Sequence, residues 1–561
     1  MGSSVAQQGE FVIRGGTLVD GTGAPGRRAD VRISGGRVAE IGANLGAPRE
    51  LDARGCVVAP GFIDVHTHYD AQVFWDPMFS SSCWHGVTTV VAGNCGFTLA
   101  PTREPQRRAI VETLQAVEDM SIATLDAGIV WEFTTFREYL ELVERRGLGL
   151  NFACYVGHSA VRLFAMGEAG YERAADDAEL SAMRRVVADA VDAGAIGLAS
   201  SFSFTHFGVG GRPVPSRHSG HDELRALASV LAERGRGVVV FAPGAPVAYR
   251  DAYELQLATG RPWMWTPMIT NYPEPDYRDA MRTHAAGRAR GADVWAQVSC
   301  RPVSIQIQLA NPYLFRTCPS FHALHDLPDA ERRRRYADPG WRRAAWPEIA
   351  EHVRPKPSWD HVFLAETTLH ATLVGKTLAA IAAERGQTPL DAYCELSLAE
   401  DLRTRFTAHL SNYDEDAVAE LLLQPGVVMG QSDAGAHVSQ LCDANMPTDL
   451  LGGWVRDRKR LPLERAVQML SGDLARLLGL ADRGTLEVGK AADVVVFDPE
   501  TVAPGPLRRV RDLPGDEERL VSDAPEGVVH VLVNGVAIRR DGAPVAGAAE
   551  ARPGRVLRPA R

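Results

Sequence analysis

GFIDVHTHYD, residues 61–70, ends an apolar run with two histidines, His66 and His68, two positions apart. In a strand, residues i and i+2 point the same way. Two imidazoles so placed can grip one cation, which suits zinc and its relatives. The pair HxH also arises by chance beside strands, so the reading depends on what else the chain brings to the same place. The run CVVAPGFIDV, 56–65, reads as a strand, and the histidines sit at its C-terminal end.

Seven more short apolar runs follow, at 87–94, 150–157, 195–201, 237–242, 261–269, 293–299 and 426–433. Helical patterns separate several of them. DELRALASVLAERG, 222–235, carries Leu224, Leu227 and Leu231 at helical spacing and closes at Gly235. Strands alternating with helices predict a parallel sheet, and eight such units predict a (β/α)8 TIM-like barrel. In that fold reactive groups project from the C-terminal ends of strands. Asp433 ends the eighth run in MGQSDAG, beside the first strand, where a carboxylate faces the same cation as His66 and His68. It is the candidate ligand and general acid/base, able to take a proton from water and pass it on.

The ends of the chain read differently from its middle. Short strand-like runs with Gly35-Gly36 and Asn534-Gly535 turns occupy both termini, which predicts one small sheet domain from residues 1–58 and 482–561. The barrel is then 59–481. That exceeds the roughly 250 residues typical of the fold, and an insertion at about 300–425, after the seventh run, takes up the excess as a lid-like segment. Its RRRR run, 332–335, reads as a solvated helix face.

The composition of the 561 residues, 45% hydrophobic and 23% charged, is that of a globular chain. A net charge of −10 argues against a nucleic-acid surface. No apolar run approaches the roughly 20 residues of a membrane span. The opening MGSSVAQQGEF shows neither a secretion nor a myristoylation pattern, and eight scattered cysteines without a CxxC pair predict reduced thiols in the cytoplasm. The partners this leaves are a small molecule and a second copy of the chain.

With the histidines come GVTTVVAGNCGFTLAP (86–101), GHSAVR (157–162), DAGAIGLASS (192–201) and ADRGTLEVGKAADVVVFDP (481–499). Together these resemble the amidohydrolase superfamily, most closely its N-acyl-D-amino-acid deacylase branch, over nearly the whole chain. The resemblance implies a (β/α)8 barrel, a small β-sandwich from both ends, and zinc-dependent hydrolysis of a small-molecule amide. It also implies that Cys95 of GNCG is a metal ligand. Many relatives bridge two metals with a carbamylated lysine on strand four; this chain has no lysine before Lys356.

The chain departs from that branch in places. The histidines expected after strands five and six are replaced by Ala242-Pro243 and Thr266-Pro267, and strand seven carries Gln297. Phe204 stands where the branch has a tyrosine. The centre then holds one ion on His66, His68, Cys95 and Asp433, or two if a loop histidine such as His206, His218 or His221 completes a second site. His158 is a candidate donor to the substrate carbonyl, with simple packing as its equal alternative. Arg162, His206, Phe204, Gln297 and His437 are candidate substrate contacts, with packing, surface pairing or support of the ligands as their ordinary alternatives. His221 with Asp222 and Glu223 reads as a helix start. Three functions remain open at this point: amide hydrolysis, a metal-dependent isomerisation, decarboxylation or cyclisation, and binding without catalysis.

Overall fold

The computed structural model describes residues 9–324, 327–353 and 357–560. The first eight residues, most of the stretch examined above for a leader, and Lys356 lie outside them. The chain forms two compact units. The first takes residues up to Cys300, then Asp416–Val438 and everything from Cys442; the second is Arg301–Glu415 with Ser439–Leu441.

The run 56–65 is not one strand. Val57–Pro60 pairs with Val494–Phe497 in a terminal sheet, and Phe62–Thr67, here β1, pairs with β2, Val87–Ala92. The chain passes from one sheet to the other at Gly61, where a Cβ would meet the Thr88 hydroxyl at 2.2 Å. Then come β3 (Asn151–Cys154, continued by Val156–Gly157), β4 (Gly197–Ser201), β5 (Val238–Ala242), β6 (Trp263–Trp265), β7 (Val294–Val298) and β8 (Val427–Met429). Neighbours pair in parallel, β1 to β3 as one sheet and the second piece of β3 through β8 as another. Thr67 bridges Ala434 in parallel beyond β8, and His68 N donates to Ala434 O at 2.8 Å.

Every residue of these strands is buried, which is why they read as unbroken apolar runs rather than alternating ones. One buried cluster draws on all eight, through Val65, Val91, Ala153, Ala199, Val240, Met264, Trp295 and Val428. Two strands are less than half as long as their apolar runs. β6 stops before Pro267, which has no N–H to continue a ladder. β8 stops at Met429, because Gln431 and Asp433 adopt left-handed backbone with φ of 69° and 44°.

Three helices matter below: α1 (Arg107–Glu118) after β2, α2 (His158–Met166) after β3 and α3 (His221–Glu233) after β4. The terminal sheet has nine strands, from Phe11–Leu18, Arg27–Ser34, Arg37–Gly42 and Glu50–Asp52 at one end of the chain to Val528–Val533, Val536–Arg540 and Ala543–Pro544 at the other. Its hairpin at Asn534-Gly535 has positive φ at both positions, 47° and 79°, as a tight two-residue turn needs. The DRG…AD tail builds a buried ion pair between Arg483 and Asp493. Asp493 also accepts from Asn151 of β3 at 3.0 Å and from Asn534 N at 2.7 Å, tying the terminal sheet to β3.

The second unit has its own core of Phe315, Phe321, Tyr336, Tyr393 and Phe406 around a three-stranded antiparallel sheet. In its helix Asp329–Ala337, Arg333, Arg334 and Arg335 are exposed, while Arg332 turns back to Ala310 O at 2.8 Å. Among the described residues no helix is long and apolar enough to cross a membrane.

Gly197 lets β4 and β5 approach: a Cβ there would lie 1.9 Å from Val238 O. Gly197→Ala therefore destabilises the chain by about 1–3 kcal/mol, the usual cost of overpacking, read as a lowered urea midpoint.

Candidate metal centre

His66 and His68 leave the end of β1 on one side, both 2% exposed, with ring centroids 5.5 Å apart. Cys95 joins them. One ligand atom from each of the three lies within 4.8 Å of the others, and all three residues are buried. The GNCG turn after β2 explains the placing of the thiol. Cys95 itself has φ 57°, between Gly93 and Gly96 in the same left-handed region. Asn94 pins the turn, donating to Val65 O at 3.0 Å and accepting from Cys95 N at 2.9 Å. Gly96 must be bare, since a Cβ would lie 2.7 Å from Ala199 O.

The loop after β8 brings Asp433. Its Oδ1 lies 2.9 Å from His66 Nε2 and 3.5 Å from His68 Nε2. The Ser432 hydroxyl holds that loop against β1, within 2.8 Å of His66 O and 2.9 Å of Asp64 Oδ1. On the far side of the ring, His66 Nδ1 donates to Gln297 Oε1 at 2.6 Å, with Thr266 Oγ1 at 3.3 Å. An imidazole that donates from Nδ1 presents Nε2 outward.

The electrostatics are those of a cation site. Burial would strip the proton from His66, but Asp433 and Cys95 outweigh it and hold the ring well above its ordinary pKa. Burial would likewise neutralise Asp433, yet the two imidazoles keep it well below the usual carboxylate range. Burial pushes the Cys95 thiol up, with His66 opposing. Two imidazole nitrogens and a thiol meet in one buried group, with the part-exposed Asp433 carboxylate against both rings but outside that group of three, and together these donors fit a zinc-like divalent cation; such a cation removes the thiol proton outright.

The other candidates divide. His158 does not face a substrate: it is fully buried, its Nδ1 2.8 Å from Ser200 Oγ and its Nε2 2.7 Å from Glu223 Oε1. Both ring nitrogens are taken, so the donor role expected for it is withdrawn. Arg162 is equally buried, with Nη1 on both Glu223 oxygens at 2.5 and 2.6 Å and Nη2 on Arg173 O at 2.6 Å. Both of its terminal nitrogens are engaged inside the protein, and the side chain is fully buried away from any substrate. GHSAVR thus builds an internal ion pair, and Glu223, read above only as part of a helix start, is its centre. Burial opposes the charge on Glu223, but His158 and Arg162 overcome it and hold the carboxyl at about 2.

Gln297 serves His66, as described, so its place is behind the ring rather than on a substrate. His206 Nδ1 lies 2.6 Å from Ser201 Oγ and its ring edge meets Phe97. Burial pushes its pKa down to about 3, and it is outside the metal-ligand group found among the described residues. His221 pairs with Asp251 at 2.8 Å. Phe204 is 49% exposed. His437 has φ 48°, and its N donates to Glu118 O at 2.6 Å. Glu118 itself was not foreseen. It ends α1, its side chain is 4% exposed, and its Oε1 lies 3.3 Å from His68 Nδ1. A signal was available: Val111, Leu114 and Glu118 share one stripe of α1, and a glutamate on an apolar stripe calls for a partner.

The chain resembles known proteins over most of its length. The model of the amidohydrolase family matches residues 49–292 and 338–539. The N-acyl-D-glutamate deacylase of Alcaligenes xylosoxydans xylosoxydans is 31% identical over 563 residues, covering 98% of this chain and 96% of that one. The crystal structure of N-acyl-D-glutamate deacylase from Bordetella bronchiseptica, complexed with zinc and a phosphonate that mimics the tetrahedral intermediate, superposes with a TM-score of 0.66. It is 28% identical and covers 98% of this chain and 100% of that one. A D-aminoacylase studied for its binuclear metal centre, with one-metal activation and second-metal attenuation, gives a TM-score of 0.65 at 27% identity, over 98% and 99%.

The Glu223 pair has a pH signature. Its folded pKa, about 2, lies below the ordinary 4.5. The stability it contributes is complete above the ordinary value and is lost as pH falls through the folded one. The thermal midpoint should therefore drop on acidification toward pH 2, with a smaller dependence in Glu223→Gln. Arg162→Ala, which strands a buried carboxylate, costs roughly 3–5 kcal/mol in chemical unfolding.

Proposed function

Because this chain belongs to the amidohydrolase family, we propose that it hydrolyses the amide bond of an N-acyl-D-amino acid or a related small-molecule amide. It is a hydrolase of carbon–nitrogen bonds other than peptide bonds. The observation that carries the finer reading is the meeting of His66, His68 and Cys95 in one buried group with Asp433 Oδ1 2.9 Å from His66 Nε2. His66, His68, Cys95 and Asp433 would hold one divalent cation, zinc by the chemistry of the donors. Such a cation, when bound, polarises a carbonyl and acidifies water.

The protein's own groups do the rest. Asp433, kept ionised by two imidazoles, accepts the proton of the attacking water and returns it to the departing nitrogen. Gln297 keeps His66 in the tautomer whose Nε2 faces inward. The left-handed backbone at Asp433 turns the carboxylate toward β1 instead of along β8. One cation suits this chain better than two, since Ala242-Pro243 and Thr266-Pro267 supply no imidazole at the ends of β5 and β6.

The same reading takes β1 to β8 as a closed (β/α)8 barrel, supported by the Thr67–Ala434 bridge and by the cluster that draws on all eight strands. It takes residues 1–58 and 482–561 as a small β-sandwich domain, supported by their shared nine-stranded sheet.

Three measurements test it. Chelation abolishes turnover of N-acyl-D-amino acids and zinc restores it. Asp433→Asn lowers kcat by about 10²–10⁴-fold, the usual range for a lost acid–base group, with the fold intact by circular dichroism. Product masses exceed the substrate by one water. An unchanged mass would point to isomerisation or cyclisation without water loss, and a loss of carbon dioxide to decarboxylation. Full activity in Asp433→Asn would remove the mechanism.

A further inference from the structure

A histidine that offers one ring nitrogen to a cation needs a partner for the other, and the identity of that partner sets the ligand's orientation and basicity. His66 has a neutral one, Gln297 Oε1 at 2.6 Å. His68 faces something different. Its Nδ1 lies 3.3 Å from Glu118 Oε1, and its Nε2 lies 3.5 Å from Asp433 on the other side of the ring.

Glu118 is an expensive residue to place here. Its side chain is 4% exposed, and Oε1 is enclosed with no hydrogen bond of ordinary geometry. Its ion-pair partners among the described residues are His68 and, at 3.9 Å, His437. A buried carboxylate without an arginine or lysine destabilises a fold unless something else neutralises it. The main chain nonetheless fixes it firmly. Asp119 turns left-handed, with φ 51°, to end α1 at this point, and His437 N donates to Glu118 O at 2.6 Å, joining the turn to the loop that carries Asp433.

We propose that Glu118 is a positioning residue of the metal centre, accepting the Nδ1 proton of His68 and fixing that ring with Nε2 toward the cation. The assignment rests on the metal-dependent reading above. It explains why a carboxylate stands at the end of an apolar helical stripe, and it makes the two imidazoles unequal. His68 is backed by an anion and His66 by an amide. Long or poorly aligned contacts of this kind tighten when the site is engaged.

The test uses the full-length chain, stripped of metal, as wild type, Glu118→Gln and Glu118→Ala. Zinc affinity is measured by competition with a chromophoric chelator, and the thermal midpoint of each metal-free protein is measured alongside. Glu118→Ala should weaken zinc binding by about 10- to 100-fold, as loss of such supporting contacts does. Glu118→Gln, which keeps an acceptor oxygen but not the charge, should fall between it and the wild type. Loss of the carboxylate takes a partner from His68 and His437, so the metal-free midpoint should fall, less in Glu118→Gln than in Glu118→Ala, and in both the loss of zinc affinity should exceed what that fall in stability accounts for. The visible spectrum of the cobalt-loaded protein should change in Glu118→Ala if the His68 ring has turned. If both variants bind zinc as tightly as the wild type, the assignment is overturned while the hydrolase reading stands. It is equally overturned if affinity falls only in step with the metal-free midpoint, the pattern of a purely structural residue. If Glu118→Ala does not fold, Glu118→Gln decides the matter by the same readings. Should the wild type take up no zinc, the metal-dependent reading fails, and this assignment with it.

Discussion

The contact between the end of β1 and the loop after β8 is the constraint from which the rest follows. His68 N donates to Ala434 O at 2.8 Å, Thr67 bridges Ala434, and Ser432 Oγ lies 2.8 Å from His66 O. These bonds join the first strand to the last across more than 360 residues of sequence. They also decide which side chains meet. With the backbone of residues 432–434 held against β1, the Asp433 carboxylate is brought against the two imidazoles. Two strand ends sewn together by main-chain hydrogen bonds give a geometry that no single side chain must maintain.

Charge burial then dictates how the surroundings are built. Glu223 is tolerable because His158 and Arg162 lie against it. Arg483 and Asp493 repeat the device where the terminal sheet meets β3. A buried charge costs several kcal/mol when left alone, so each pair is retained as a unit. The GHSAVR and DRG…AD motifs are signatures of this kind: they build pairs that fix the frame. The HxH and GNCG motifs differ, since their polar groups converge on one another without a full set of opposite charges.

That distinction explains what the sequence disclosed. The eight parallel strands were legible because strands buried on both faces write themselves as apolar runs bounded by turns. His66, His68 and Asp433 were legible because strand ends in such a fold are where reactive groups stand. The split at Gly61 was not, because Val57 to Val65 are apolar on both sides of it, and only the close approach of Thr88 reveals the crossing. His158 and Arg162 were misread because a motif shows that residues matter without showing which way they point. Glu223 sits in the acidic first turn of α3, where a solvated carboxylate would be ordinary, so nothing local marked it as buried. Glu118 could have been found, from its place on the apolar stripe of α1.

The replaced positions at the ends of β5 and β6 bear on how far relatives' chemistry extends to this chain. Where a second cation would need imidazoles, the chain supplies Pro243 and Pro267, which offer neither a side-chain donor nor an N–H. Thr266 turns its hydroxyl toward His66 Nδ1 at 3.3 Å, and Gln297 fills the space behind the same ring at 2.6 Å. Both groups therefore support the His66 ring, which the proposed function makes a ligand. These supports around His66 and His68 are what favours the proposed reading of one cation over two.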